Sequence, residues 1–187
     1  MLILASQSPR RKEILSMLGY EFVTRPADAD ETIPAGTHPA DAVKMLAERK
    51  ALAVDAAEDV VIGSDTVVAL DGLILGKPVD ASDARAMLHR LSGATHTVYT
   101  GVCIKQGARI QIFCSASQVT FYELTDREID EYIATGEPMD KAGAYGIQGK
   151  GLVLIRRLSG DFYAVMGLPA AETARALRDF GVFAKNS

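Results

Sequence analysis

The order of apolar and polar positions along the chain predicts alternating strands and helices. Short apolar runs bounded by turn residues are typical of buried strands, and apolar residues three and four apart are typical of helices. Strands are expected at residues 2–4, 21–25, 59–70, 73–75, 95–105, 109–122 and 152–158. Helices are expected at residues 9–18, 39–56, 81–91, 126–135 and 169–180. This order predicts the α/β class with a mixed sheet.

Turn and cap residues set the limits of several of these elements. Ser8 followed by proline is typical of a helix start, and Gly19 is typical of a helix end. Asp71 followed by glycine predicts a hairpin, and Thr125 with a glutamate three residues later predicts a capping box. Residues 136–151 contain five glycines, so we expect a shaped loop there and no regular helix or strand.

Length and composition limit the range of functions. The 187 residues contain no repeat, low-complexity run or linker, so we expect a single domain over residues 1–187. The 20 Lys and Arg against 24 Asp and Glu give a net charge of -4, which argues against binding to the nucleic-acid backbone. The apolar stretches are shorter than the ~20 residues of a membrane span. In the first 15 residues the charges follow the apolar positions, so no signal peptide is expected.

The two cysteines lie on the strands of one predicted hairpin. A turn at residues 106–107 would place Cys103 opposite Ile110 and Cys114 opposite Tyr99, so we expect no disulfide between them. A chain without a disulfide framework or signal sequence is expected in the cytoplasm. Pairing of the exposed parts of this hairpin across a homodimer is left open.

The start of the first helix is a candidate anion site. Arg10 and Arg11 lie where the helix dipole disfavours cations, unless an anion binds there. The hydroxyls of Ser6 and Ser8, the free N–H groups and the two guanidinium groups could together bind a di- or triphosphate. The alternative is an ordinary capped helix with two solvated arginines.

Lys50 and Asp65 are charged residues at positions where apolar residues are expected. Lys50 lies near the centre of the apolar stripe of the second helix, so it either points inward to a buried anion or carboxylate or extends around the edge to solvent. Asp65 interrupts an apolar strand and needs a hydrogen bond, a cation or a metal, unless it makes only a local turn contact. Thr66, next to Asp65, would lie on the opposite face of a regular strand, so a shared site would need a bulge or a strand end.

Two further charged residues and the question of a metal complete the candidate chemistry. Lys77 lies on a tight Gly-Lys-Pro loop that does not match a Walker-type phosphate loop, and such a sequence is also an ordinary turn. Glu31 lies in a polar segment, where a solvated loop glutamate is the alternative to a functional carboxylate. The three scattered histidines do not form a zinc motif. Carboxylates and phosphate oxygens would instead suit a divalent Mg²⁺ or Mn²⁺ ion.

An ordered set of short motifs resembles the Maf family, also called septum formation inhibitor-like proteins. The motifs are ASQSPRR at 5–11, ERKA at 48–51, GSDT at 63–66, GKP at 76–78, TGV at 100–102 and GAYGIQG at 143–149. The resemblance covers residues 2–181. Near the C-terminus the chain keeps only part of the family pattern, with Ala164 at a position where the family favours asparagine.

The resemblance implies a fold, an activity and a set of site residues. Members are nucleoside triphosphate pyrophosphatases with an elongated two-lobed α/β fold and a central cleft, similar to inosine triphosphate pyrophosphatases. Asp65 matches the catalytic aspartate. Positions associated with base selectivity match Arg10, Thr66 and Gln148, and positions associated with phosphate or metal binding match Ser8, Arg11, Glu31, Lys50 and Lys77.

The resemblance also suggests a substrate. The Asp-Thr pair and the Gln-Gly loop resemble the branch that acts on dTTP and UTP, with Glu31 and Asp65 as ligands of a divalent metal. Hydrolysis between the α and β phosphates would give the monophosphate and pyrophosphate. The alternatives are a non-catalytic nucleotide-binding regulator of septum formation and a house-cleaning enzyme of the inosine triphosphate type.

Overall fold

A computed structural model describes residues 1–185, so the last two residues of the predicted 1–187 domain lie outside the described residues. The strands are β1 Leu2–Leu4, β2 Val23–Thr24, β3 Val60–Leu70, β4 Leu73–Leu75, β5 Thr95–Gln106, β6 Arg109–Phe121 and β7 Ile155–Ser159. The α-helices are α1 Pro9–Met17, α2 Pro39–Leu52, α3 Ala81–Leu91, α4 Asp126–Ile133, α5 Phe162–Met166 and α6 Ala170–Asp179. The predicted caps at Ser8 and at Thr125 with Glu128 are present.

The strands form one mixed seven-stranded sheet in the order β2-β1-β3-β5-β6-β7, with β4 beside β3. The pairs β2-β1 and β1-β3 are parallel, and β3-β5, β5-β6 and β6-β7 are antiparallel. The predicted α/β class with a mixed sheet is therefore confirmed. Among residues 1–185, no helix combines the length and apolar character that a bilayer crossing requires.

The sheet has a gap along one edge of β3. On its other edge β3 pairs with β5 through residues 61–69. On the gapped edge β1 pairs with residues 60–62 and β4 with residues 68–70. In the described part of the chain, no strand pairs with residues 63–67 on this edge.

A separate hydrophobic core lies at each end of β3. One core joins β1, α1 and α6 to the first half of β3, with Leu4, Ile14 and Leu177 fully buried. The other joins α3 and α4 to the second half, with Leu88 and Ile129 fully buried. Two lobes therefore share one sheet and meet at the gap, in agreement with the predicted two-lobed fold.

Two shifted element limits and one additional helix are the main differences from the predicted elements. Helix α2 ends at Leu52 instead of residue 56, because the chain turns there and buries Val54 against the sheet. Strand β7 begins at residue 155 because residues 149–154 form a 3₁₀ helix. Helix α5 was not predicted, since five residues are too few to show a helical period.

The register of the β5-β6 hairpin also differs from the prediction. Cys103 lies opposite Ile112 and Cys114 lies opposite Gly101, because the turn is at residues 107–108 and not at 106–107. The predicted pairs with Ile110 and Tyr99 are therefore wrong by two residues. Both cysteines are free, as expected.

Candidate active site

The gap beside β3 opens into a cleft between the two lobes, with a volume of about 710 Å³. Nine residues were predicted to form the site, and eight of them line this cleft: Ser8, Arg10, Arg11, Glu31, Lys50, Asp65, Thr66 and Lys77. The structure does not place Gln148 among the lining residues, although its neighbour Ile147 is one of them. Gln148 directly precedes the 3₁₀ helix at 149–154.

Asp65, Lys50 and Glu31 form the charged centre of the cleft. The Lys50 Nζ lies 2.6 Å from Asp65 Oδ1 and 2.7 Å from Glu31 Oε1. The side chains of Lys50 and Asp65 are only 13% and 14% exposed, so water screens this pair weakly. The inward orientation of Lys50 that its helix position allowed is therefore observed, and Asp65 has the cationic partner that its apolar strand required.

Two glycines allow α2 to bring Lys50 close to the sheet. Gly63 and Gly101 lie on the same face as Asp65, since Gly63 is two residues away and Gly101 pairs with Asp65. A Cβ atom at Gly63 would lie 2.1 Å from the Ala47 carbonyl oxygen, and one at Gly101 would lie 2.3 Å from the Val43 carbonyl oxygen. Any larger residue at either position would push the helix away from Asp65.

Glu31 is held in the cleft by two consecutive residues of α2. The Arg49 guanidinium donates to the carbonyl oxygens of Asp30 and Thr32, at 3.1 and 2.8 Å, and so fixes the segment around Glu31. The hydrogen bond from Lys50 holds the pKa of Glu31 below its ordinary value, and the charges of Lys77 and Arg11 act in the same direction. Glu31 is therefore an ion-paired carboxylate, although its side chain remains 64% exposed.

The start of α1 presents Arg11 to the other side of the gap. The Arg11 Nε donates to the Gly167 carbonyl at 2.8 Å, and its terminal nitrogens donate to Ser6 Oγ at 3.1 Å and Thr66 Oγ1 at 3.4 Å. All three acceptors are neutral oxygens, so these contacts leave the positive charge of Arg11 uncompensated. Burial lowers the pKa of Arg11, and nearby Asp65 opposes that shift. An anion in the cleft would stabilise this guanidinium.

Asp65 and Thr66 both line the cleft although their side chains leave opposite faces of β3. The bulge or strand end expected for this arrangement is not present, so that prediction is wrong. The register of β3 with β5 is continuous through both residues. Both side chains reach the cleft because β3 has an open edge at residues 63–67, so the cleft contacts the strand from the side.

Lys77, Arg10 and the glycine-rich loop, residues 136–151, enclose the opposite side of the cleft. The loop is fixed to the Gly-Lys-Pro turn by a hydrogen bond from Gly143 N to the Gly76 carbonyl, at 3.0 Å. Arg10 of α1 lies 4.0 Å from Asp140 of the loop. Lys77 is exposed and lines the cleft. Cations from both lobes therefore surround one space.

One end of the cleft is apolar, which the sequence analysis did not predict. It is lined by Val68, Leu75, Val98, Tyr145 and Val165, which come from three strands, the loop and α5. The Tyr145 hydroxyl hydrogen-bonds to the buried His96 Nε2 at 2.7 Å, which fixes the ring. No local sequence signal marks these residues, because in each segment they look like ordinary core positions. The cleft therefore offers a charged end and an apolar end to one ligand.

The carboxylates fit a divalent ion only with help from a ligand. Within residues 1–185 no group of three or more His, Cys, Asp or Glu side chains is placed to bind a metal. Asp65 and Glu31 contact the same ammonium nitrogen, so they are close enough to share a cation. Mg²⁺ is commonly held by one or two carboxylates together with substrate phosphates, and this pair fits that pattern.

The fold and the cleft define a two-lobed α/β protein whose cleft is lined by cationic side chains at one end and apolar side chains at the other. The chain belongs to the Maf-like protein family, whose sequence model matches residues 1–180. It is 49% identical to the dTTP/UTP pyrophosphatase of Bacillus pumilus and 50% identical to that of Bacillus velezensis, over 97% of both chains in each case. It is 51% identical to the dTTP/UTP pyrophosphatase of Bacillus cytotoxicus, over 95% of this chain and 94% of that one.

Proposed function

We propose that this protein is a nucleoside triphosphate pyrophosphatase that hydrolyses the α–β phosphate bond of dTTP and UTP. The observation that carries the proposal is the partly buried Asp65 carboxylate, paired with Lys50 at 2.6 Å in a cleft lined by further cations. The names of relatives about 50% identical over nearly the whole chain support the reaction and the pyrimidine substrates. The free thiols of Cys103 and Cys114 support the cytoplasmic location that we propose with it.

The two ends of the cleft suit the two parts of a nucleotide. The triphosphate would lie against Arg11, Lys50 and Lys77, where charge-assisted hydrogen bonds are strongest. The base would lie towards the apolar end, near Val68 and Tyr145. We propose that Arg10, Thr66 and Gln148 adjust the choice of base, as the family resemblance implies, so that purine nucleotides are poorer substrates.

In the proposed reaction Asp65 orients the attacking water and accepts its proton. The water oxygen forms a bond to the α-phosphorus. The bond from the α-phosphorus to the bridging oxygen breaks, and pyrophosphate leaves with that oxygen. Lys50, Lys77 and Arg11 stabilise the charge that develops on the leaving group. A divalent ion held by Asp65, Glu31 and phosphate oxygens would neutralise further charge and make water more acidic.

A nucleotide panel tests this function. The protein is incubated with each nucleoside triphosphate and Mg²⁺ or Mn²⁺, and pyrophosphate release is measured. We expect the fastest release from dTTP and UTP. Nucleotide binding without pyrophosphate release would favour the non-catalytic regulator, and preference for inosine triphosphate would favour the house-cleaning type.

The Asp65→Asn variant tests the catalytic residue. We expect kcat to fall ~10²-fold or more while nucleotide binding is largely kept, because asparagine cannot accept the proton. Asp71→Asn is the matched control, since Asp71 lies in the exposed β3-β4 turn at φ 51°, which asparagine tolerates. Near-normal turnover by Asp65→Asn would reject the assignment.

A further inference from the structure

A buried threonine that no proposed role includes is connected to the cleft by a chain of hydrogen bonds. Thr100 on β5 is 0% exposed and lies opposite Thr66 on β3. Its Oγ1 is 2.7 Å from the Ala164 carbonyl oxygen and 2.9 Å from Thr66 Oγ1. Thr66 Oγ1 in turn is 3.4 Å from a terminal nitrogen of Arg11.

The direction of every bond in this chain is fixed. A carbonyl oxygen only accepts, so Thr100 gives its single hydroxyl proton to Ala164. Thr66 must therefore give its own proton to Thr100. Since a guanidinium only donates, Thr66 accepts from Arg11 with its remaining lone pair. The Thr66 hydroxyl therefore uses its only proton in the hydrogen bond to Thr100 and cannot donate a hydrogen bond to a bound base.

The contact with Thr66 is the third of the hydrogen bonds that orient the Arg11 guanidinium. Gly167 holds Arg11 Nε, and Ser6 holds one terminal nitrogen, which leaves the second terminal nitrogen to Thr66. The Gly167 carbonyl also accepts from the buried Ser64, at 3.0 Å, so it is itself fixed to β3. If Thr100 did not accept the hydrogen bond from Thr66, the Thr66 hydroxyl could rotate and donate its hydrogen bond to another group.

We propose that Thr100 is a positioning residue for substrate: it fixes the Thr66 hydroxyl so that Thr66 orients Arg11 towards the triphosphate. The proposal rests on the proposed function in assigning Arg11 to phosphate binding. It also gives Thr66 a specific role, since Thr66 would affect substrate choice through its methyl group and through Arg11, and not by donating to the base.

Two substitutions at Thr100 separate the hydroxyl from the shape of the side chain. Thr100→Val keeps the volume and removes the hydroxyl, and we expect kcat/KM for dTTP to fall ~10-fold. Thr100→Ser keeps the hydroxyl and should stay within ~3-fold of the unaltered protein. The control is Thr173→Val, another fully buried threonine, whose Oγ1 has no partner among residues 1–185 and which should leave kcat/KM unchanged. Equal losses in Thr100→Val and Thr100→Ser would overturn the proposal.

A double-mutant cycle tests whether Thr100 acts through Arg11. In an Arg11→Ala background the further change Thr100→Val should lower kcat/KM by less than ~2-fold, because the group that Thr100 orients is already absent. Fully additive losses would show that Thr100 supports the fold only, and would overturn the proposal. Melting temperatures of all variants verify that each remains folded.

Binding of inorganic tripolyphosphate separates this proposal from the proposed function. Calorimetry measures the dissociation constant without any hydrolysis of a nucleotide. We expect Thr100→Val to bind tripolyphosphate ~10-fold more weakly and Thr100→Ser to bind it normally. If the unaltered protein binds tripolyphosphate but releases no pyrophosphate from nucleotides, the proposed function fails and the Thr100 effect on binding still decides this inference. Unchanged binding by Thr100→Val, or no binding by the unaltered protein, would overturn it.

Discussion

At the scale of single residues, the cleft depends on one ammonium group shared by two carboxylates. Lys50 contacts Asp65 and Glu31 at once and is mostly buried. Without it the Asp65 carboxylate, which is only 14% exposed, would face the Glu31 carboxylate with no cation between them. Lys50 therefore stabilises the arrangement of these two carboxylates in the cleft.

Replacing Lys50 by methionine should expose this dependence. We expect kcat/KM to fall ~10²-fold, because a cation that stabilises the leaving group is lost. The pKa of Glu31 should rise in this variant, because the hydrogen bond from Lys50 is the largest influence that lowers it. Carboxyl NMR titration measures the pKa, and pyrophosphate release measures turnover.

The matched control is Lys44→Met. Lys44 is on the same helix and pairs with Asp41 at 2.7 Å, but it lies outside the cleft.

The lowered pKa of Glu31 also links its ion pair to the pH dependence of stability. A carboxylate whose pKa is lower in the folded state stabilises the fold at pH values above its unfolded-state pKa, near 4.5 for Glu31. This stability is lost as the pH falls through the folded-state pKa. The Lys50→Met variant should therefore lose less stability than the unaltered protein on acidification below that pH. An unchanged Glu31 pKa in Lys50→Met would contradict this account.

The sequence identified the charged residues of the cleft but not the groups that hold them. Asp65 and Lys50 stand out because a charge in an apolar pattern needs a partner. The Gly167 carbonyl that fixes Arg11 is 156 residues away, and a backbone oxygen has no signature in the sequence. The series of hydrogen bonds from Thr66 through Thr100 to the Ala164 carbonyl oxygen likewise has no signature in the sequence.

At the scale of elements, α2 lies close to the sheet because two sheet positions beneath it, Gly63 and Gly101, have no side chain. The helix backbone packs directly on Gly63 and Gly101, and the short distance between helix and sheet lets Lys50 reach Asp65. Helix and strand therefore act as one rigid unit in the site.

Gly101→Ala should disrupt this unit. Its new Cβ atom would lie 2.3 Å from the Val43 carbonyl, so α2 must move or the strand must bend. We expect a loss of stability of ~1–3 kcal/mol, which is typical of overpacking, together with a clear fall in kcat/KM as Lys50 withdraws. Urea unfolding and pyrophosphate release measure the two effects.

The control for this prediction is Gly107→Asn in the β5-β6 turn. Nothing lies within 4 Å of a Cβ atom there, and asparagine tolerates the φ of +54°. Its activity should equal that of the unaltered protein. Normal stability and activity in Gly101→Ala would show that α2 has more freedom than its contacts indicate.

The elements themselves were largely predictable from sequence, and the errors have physical reasons. Caps and turns at Ser8, Asp71 and Thr125 are local signals and were found. The register of the β5-β6 hairpin depends on where a glycine adopts positive φ, and a shift of one residue in the turn moved every pair by two. Helix α5 depends on a single cap, Asp161, and on its contacts with the sheet.

At the scale of the whole molecule, the core that contains Phe121 and Tyr145 also encloses the buried side chain of His96. His96 packs edge-on against Phe121 and Tyr145, and its Nδ1 has no hydrogen-bond partner in residues 1–185. Burial lowers the pKa of His96 to about 4. His96 in the folded protein therefore stays neutral at pH values where the same side chain in the unfolded chain, with a pKa near 6.5, is protonated.

This difference predicts acid sensitivity of the fold. Because the unfolded state binds more protons between about pH 6.5 and pH 4, the free energy of unfolding should decrease by about 2 kcal/mol from pH 7 to pH 5. His96→Gln keeps a hydrogen-bond partner for the Tyr145 hydroxyl, and its free energy of unfolding should decrease clearly less between pH 7 and pH 5. His89→Gln is the control, because His89 is exposed and should keep the full dependence. Urea unfolding at both pH values makes the comparison, and equal losses in His96→Gln and the unaltered protein would contradict it.

The gap beside residues 63–67 has a consequence for association between chains. Unpaired edges of a sheet attract other extended polypeptides and promote aggregation. Here the unpaired segment is short, lies between β1 and β4, and is flanked by the cationic side chains of Arg10, Arg11 and Lys77. A foreign strand would have to displace these charges and could form few backbone hydrogen bonds, so the open edge is a poor template for fibril growth.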